Sequence, residues 1–133
     1  SVYMNVLNER LVELIGVENS NNLKLKGMVS AIPINFLRGS QFMGKFVIFD
    51  EAQCATDFEL LTFLTRVGEY SKIIICGDPD QSDIGNKSGF QKFFNLFNDE
   101  ESADNGIRTF EFDEEDIMRS KILRFICKKT KNL

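Results

Sequence analysis

From Val2 to Ile15 the apolar residues Val6, Leu7, Leu11, Leu14 and Ile15 fall on one helical face and stop at Gly16, a residue suited to the position just past a helix end. The spacing predicts a core-packing helix. Asn19 to Asn22 reads as a polar loop, and the loose alternation from Leu23 to Ile32, before Pro33, predicts a short strand or edge segment. Within Lys45-Phe46-Val47-Ile48-Phe49-Asp50 lies a short apolar run of β-branched and aromatic residues, which suits a strand buried on both faces of a parallel sheet. Thr56-Asp57-Phe58-Glu59 matches a capping box, and Phe58, Leu61, Leu64 and Val67 continue one helical face until Gly68. Lys72-Ile73-Ile74-Ile75-Cys76 supplies a second apolar strand leading into Gly77-Asp78-Pro79. Two buried strands joined by one helix are expected to lie parallel with a right-handed crossover, so that the acids following both strands emerge at the same carboxyl edge.

Downstream, Phe90, Phe93, Phe94 and Phe97 recur at helical spacing, the pattern of a core stripe rather than of a base-stacking platform. Asn98 to Gly106 reads as an acidic loop, Ile107 to Phe112 alternates like a strand, and a last helix is expected from about Glu114 to Lys129. The helices and strands alternate around two strongly apolar strands, which indicates an α/β layered fold, with 1–133 read as a single domain.

Composition changes this picture little. With 133 residues, 43% of them hydrophobic and thirteen of them phenylalanine, the chain can build a core, and it reads as globular rather than disordered. A net charge of -4 gives no whole-molecule field favouring a polyanion, and the Lys128, Lys129 and Lys131 cluster reads as a solvated terminus. Cys54, Cys76 and Cys127 are odd in number and unpaired in spacing, and the chain has no histidine; they read as buried thiols of a reducing compartment rather than zinc ligands. No apolar run is long enough for a membrane span, so a cytoplasmic location is the expectation.

The candidate chemistry lies at the two strand ends. Asp50 and Glu51 leave the first strand in different directions, so one carboxylate can hold a metal while its neighbour faces a water. That division suits phosphate hydrolysis, because magnesium takes few carboxylates and keeps several waters. An Asp-Glu pair alone is usually just two solvated acids. Here Asp50-Glu51-Ala52-Gln53 is matched on the next strand by Gly77-Asp78-Pro79-Asp80-Gln81, and the pairing favours a site. Gln81 offers both a donor and an acceptor where a terminal phosphate could be read. Arg38, Arg66 and Arg119 are candidates for stabilising charge on a transferring phosphoryl group, against the plain reading of surface arginines or internal ion pairs. Read as a cluster, Asp50, Glu51, Asp78 and Asp80 also raise the alternative of a two-metal nuclease.

Phe46-Val47-Ile48-Phe49-Asp50-Glu51-Ala52-Gln53, Phe63-Leu64-Thr65-Arg66-Val67-Gly68 and Gly77-Asp78-Pro79-Asp80-Gln81 resemble, in order and spacing, the PhoH-like proteins. Leu37-Arg38-Gly39, Lys87-Ser88-Gly89 and Glu114-Glu115-Asp116-Ile117-Met118-Arg119 agree, so the resemblance covers nearly the whole chain. It implies a partial three-layer α/β/α RecA-like core of a P-loop ATPase, with a mainly parallel sheet, related to superfamily-one helicases. ATP and magnesium are the implied cofactors, RNA or single-stranded DNA the implied partner, and a homo-oligomeric ring the implied assembly. Carried over, Asp50 would be the Walker B magnesium carboxylate, Glu51 the base that activates water and Gln81 the phosphate sensor. Asp78 would support the site, and Gln53 would belong to the nucleotide-binding set.

The chain departs from that pattern at the phosphate loop. Gly39-Ser40-Gln41-Phe42-Met43-Gly44-Lys45-Phe46 approximates Gly-x-x-x-x-Gly-Lys-Ser/Thr, but Phe46 has no hydroxyl for magnesium and the segment runs into a strand instead of opening a helix. The true loop is expected upstream of Ser1 in a longer parent, which would leave the isolated chain inactive. A non-catalytic module for ring assembly or nucleic-acid binding is the alternative from another class. The loop Ser82-Asp83-Ile84-Gly85-Asn86-Lys87 is shorter than in relatives, and Arg119-Ser120-Lys121 replaces their usual arginine-histidine-proline, which weakens the case for Arg119.

Overall fold

The computed structural model describes residues 2–37, 39, 41–113, 116 and 120–130, with the side chains of 2–4 and 127 excepted. Its elements in chain order are α1 (Val2–Leu25), β1 (Phe46–Phe49), α2 (Asp57–Leu64), β2 (Lys72–Ile75), α3 (Phe90–Leu96), α4 (Glu100–Asp104) and α5 (Lys121–Thr130). The chain divides into two compact units, Ser1–Phe90 and Gln91–Leu133.

In the first unit β1 and β2 pair in parallel, Phe46 opposite Lys72 through Phe49 opposite Ile75, with α2 as the connection between them. This is the α/β arrangement expected, a partial RecA-like core. The capping box that starts α2 is present in full. Glu59 N–H donates to Thr56 Oγ1 at 3.3 Å, and the Glu59 carboxylate accepts from the Thr56 N–H at 2.9 Å. Phe63 on α2 packs against Leu37 and Phe42, and Ile34, Val47, Phe49, Leu64, Ile73 and Ile75 complete that core. The ring centroids of Phe63 and Phe49 lie 4.8 Å apart, tilted at 57°, within the range of a favourable aromatic pair.

The core covers only one face of the sheet. The side chains that alternate to the other face, Phe46, Ile48 and Ile74, are 63%, 61% and 45% exposed, so burial on both faces is not what this chain achieves by itself.

Three other expectations are corrected. The helix beginning at Val2 does not end in a loop: after a break at Gly16 (φ 80°, ψ 163°) helical structure resumes through Asn19 to Asn22 and runs to Leu25. Leu23 to Ile32 therefore forms no strand. Lys24 Nζ donates to Asn8 Oδ1, a pair that a straight helix would hold about 24 Å apart, so the break at Gly16 folds the two halves back on each other. Val6 and Leu14 on the first half are exposed rather than core-packed.

In the second unit, the expected acidic loop contains α4, whose N-cap Asp99 accepts from the Ser102 N–H at 2.7 Å. Ile107 to Phe112 runs without forming a strand. The Phe stripe is half-buried, with Phe93 and Phe97 in tilted contact at 6.2 Å. The last helix begins at Lys121, and the expected helical start at Glu114, with the 114–119 resemblance fragment apart from Asp116, lies outside the described residues. None of the described helices is long and apolar enough to cross a membrane.

Candidate functional site

Parallel pairing puts the ends of β1 and β2 side by side, because Phe49 and Ile75 are register partners. The ladder continues past both strands: Cys76 N–H donates to Phe49 C=O at 2.8 Å and Ala52 N–H to Cys76 C=O at 2.9 Å. Asp50 and Glu51 therefore leave the sheet at the same carboxyl edge as Gly77 and Asp78, as the strand-helix-strand order required.

Asp50 is exposed and its Oδ1 accepts from the Glu51 N–H at 3.0 Å. Glu51 is exposed too, and its backbone is left-handed (φ 55°, ψ 37°), a conformation costing a non-glycine residue about 1 to 2 kcal/mol. Residues held this way gather at functional sites, where surrounding bonds over-determine them. Gln53, in the short 3-10 turn Ala52–Cys54, is 1% exposed. Its Nε2 donates to Glu51 Oε2 at 2.6 Å, while its Oε1 accepts from the Asp78 N–H at 3.0 Å. Both ends of this buried amide are thus engaged within the protein.

Across the gap, Asp78 caps the 3-10 turn Pro79–Gln81. Its Oδ1 accepts from the Asp80 N–H at 3.1 Å and its Oδ2 from Gln81 Nε2 at 2.5 Å. Gln81 is otherwise exposed. Ser82 Oγ donates to the Gln53 carbonyl at 2.9 Å, a second strap between the two loops. Partial burial first, and then the Asp50 carboxylate, push the Cys76 thiol above its ordinary value, which favours the protonated form. Cys54 and Cys76 are both free and exposed as residues, against the expectation of buried thiols, and the Cys127 side chain lies outside the described set.

Among the described residues no group of three or more Asp, Glu, Cys or His side chains is placed to hold a metal ion. The two-metal nuclease reading of Asp50, Glu51, Asp78 and Asp80 thus has no geometric support. One exposed carboxylate at a strand end, Asp50, fits magnesium's preference for few carboxylates and several waters.

The arginines separate. Arg66 follows α2 and its C=O accepts from the Phe42 N–H at 2.8 Å, which places it at the amino edge of the sheet. Asp50 is the length of β1 away, roughly 13 Å at 3.3 Å per residue, so Arg66 does not join the carboxylates of its own chain. Arg66 Nε is buried without a hydrogen-bond partner. Arg38 and Arg119 lie outside the described residues. The Gly39–Phe46 segment pairs by Phe42 with Val67 and enters β1 directly, the opposite of a phosphate loop, which leaves a strand and opens a helix.

Sequence reading missed the roles of Gly77 and Ser82. A Cβ on Gly77 would stand 2.9 Å from Gln53 Oε1 and 3.0 Å from the Phe90 ring, so only glycine lets the amide reach Asp78. The glycine was visible in the motif, but what it makes room for is not local in sequence.

The family model for PhoH-like protein matches residues 1–131. A PhoH-like protein of Bacillus subtilis (strain 168) is 32% identical over 123 residues, covering 91% of this chain and 37% of the relative. The PhoH-like protein of Synechocystis sp. is 32% identical over 126 residues, 93% of this chain and 37% of its own length. Protein PhoH of Escherichia coli (strain K12) is 36% identical over 106 residues, 78% of this chain and 28% of that protein. The chain thus spans about a third of the length of the relatives it matches.

Proposed function

Because the chain belongs to the PhoH-like family, we propose that it carries the water-activating side of a magnesium-dependent ATP-hydrolysing site. The observation that carries this reading is the juxtaposition of Asp50-Glu51 with Asp78-Gln81 at one edge of two parallel strands. Asp50 would hold magnesium, and its Oδ1 already accepts from the Glu51 N–H. Magnesium bound there with a nucleotide would neutralise charge developing on the transferring phosphoryl group. Glu51 orients the attacking water and accepts its proton, and Gln81, once released from Asp78, reads the terminal phosphate. Coupling of hydrolysis to RNA or single-stranded DNA, and assembly into a ring, extend the same reading to the longer protein. Within a ring, Arg66 would have to serve a neighbouring copy's site, since it lies at the wrong edge of its own.

The phosphate-cradling loop is not among these residues, so the reading predicts a divided activity. The 133-residue chain alone binds ATP with magnesium more weakly than micromolar by calorimetry, whereas the full-length protein turns ATP over. In the full-length protein Glu51→Gln lowers kcat at least about a hundredfold, the scale of general-base catalysis. Turnover unchanged by Glu51→Gln would remove Glu51 from its role.

A further inference from the structure

Glu51, Gln53, Asp78 and Gln81 form one unbroken line of hydrogen bonds. The Glu51 carboxylate accepts from Gln53 Nε2 at 2.6 Å, Gln53 Oε1 accepts from the Asp78 N–H at 3.0 Å, and the Asp78 carboxylate accepts from Gln81 Nε2 at 2.5 Å. Of the four, only Gln53 is buried, at 1% exposure. Its amide has no alternative orientation. Turned over, its carbonyl would face the Glu51 carboxylate and its NH₂ would face the Asp78 N–H, two like-with-like pairs around a buried amide. Ser82 Oγ donates to the Gln53 backbone carbonyl at 2.9 Å, and Gly77, lacking a Cβ, leaves the space that the side-chain amide occupies. Glu51, by contrast, sits exposed on a left-handed backbone, and among the described residues its carboxylate accepts one hydrogen bond, from Gln53.

We propose that Gln53 is a positioning residue that contacts neither nucleotide nor metal, and that its amide sets the Glu51 carboxylate in register with the Asp78–Gln81 turn. This inference rests on the assignment of Glu51 as the base. One donor and one acceptor on a single rigid group link the carboxylate that activates water to the turn that reads the phosphate. A glutamate at position 53 would keep an acceptor for Asp78 and lose the donor for Glu51, and a methionine would keep the volume and lose both.

The test is a double-mutant cycle in the full-length protein, with kcat and KM for ATP measured for the native protein, Glu51→Gln, Gln53→Met and the pair. Gln53→Met is expected to lower kcat about tenfold to a hundredfold, as misplacement of a catalytic group does, with KM within about twofold. In the Glu51→Gln background the same change is expected to cost less than about twofold, because a residue acting through Glu51 has nothing left to position. An equal loss in both backgrounds, a loss confined to KM, or no loss overturns the proposal while leaving Glu51 as the base. Wild-type turnover in Glu51→Gln overturns the base assignment and the proposal together. Should Gln53→Met fail to fold, hydrogen exchange decides. With Gln53 intact, Glu51→Ala is expected to speed exchange of the amides in 77–82 about tenfold, and unchanged exchange there overturns the link.

Discussion

Glu51 and Tyr70 are the two non-glycine residues with positive φ among those described, at 55° and 60°, and their surroundings give the same strain opposite consequences. Tyr70 is 91% exposed in the turn before β2. Replacing it by asparagine, which tolerates the left-handed region, is expected to raise stability by about 0.5 to 1 kcal/mol, read as a shifted urea midpoint at unchanged slope. Glu51→Gly relieves a similar strain but strips the buried Gln53 amide of its acceptor, a loss of about 1 to 3 kcal/mol, so no gain is expected there. A gain in Glu51→Gly as large as in Tyr70→Asn would mean that the Gln53 bond contributes nothing. Neither backbone state could be read in the sequence, since nothing about a glutamate or a tyrosine announces a positive φ. The position of Asp50 and Glu51 at a strand end was readable, because it follows from a run of four apolar residues. Gln53 stood beside them in the motif and was placed in the nucleotide-binding set; its burial depends on Asp78 and Gly77, about 25 residues on, and no local pattern records that.

At the scale of elements, the signals that held were those with a mechanism inside a few residues. The Thr56–Glu59 box starts α2, and the two apolar runs form β1 and β2. Those that failed rested on polarity alone. Asn19 to Asn22 has no apolar period, yet it is helical, and the residue buried in that stretch is Ser20 rather than a large hydrophobe. Ile107 to Phe112 alternates, but alternation marks two faces and cannot supply a pairing partner. In the same way the acidic stretch after Asn98 hid the cap of α4. The Ser102 N–H lowers the Asp99 carboxyl from its ordinary value of 3.8 by hydrogen bonding to the charged form. A group depressed in the folded state contributes stability above its unfolded pKa and loses it as pH falls through the folded value. The Asp99 side-chain carbon followed by NMR is therefore expected to titrate below 3.8, and α4 to fray through that same low-pH window. Asp99→Asn, which caps without a charge, should make α4 insensitive to acid there. A midpoint at or above the ordinary value would show that the cap does not form in solution.

For the whole molecule, the decisive feature is a parallel sheet covered on one side. Parallel strands occur almost always with both faces packed, and Phe46, Ile48 and Ile74 are the residue types of a buried face although they are exposed here. The relatives are nearly three times as long as the matched stretch, this chain covering 37% of the Bacillus subtilis protein, so in those proteins there is sequence enough for a second cover. If this chain belongs to a longer parent that packs there, one substitution should have two different costs. Ile48→Ala in the 133-residue chain removes a side chain already 61% exposed, and a loss of under about 1 kcal/mol is expected. In the full-length protein the same change should cost about 2 to 5 kcal/mol, the range for emptying a packed core position. Paired denaturation curves give both numbers. Equal small costs would mean that the outer face stays open, and the sheet would then need its second cover from another molecule.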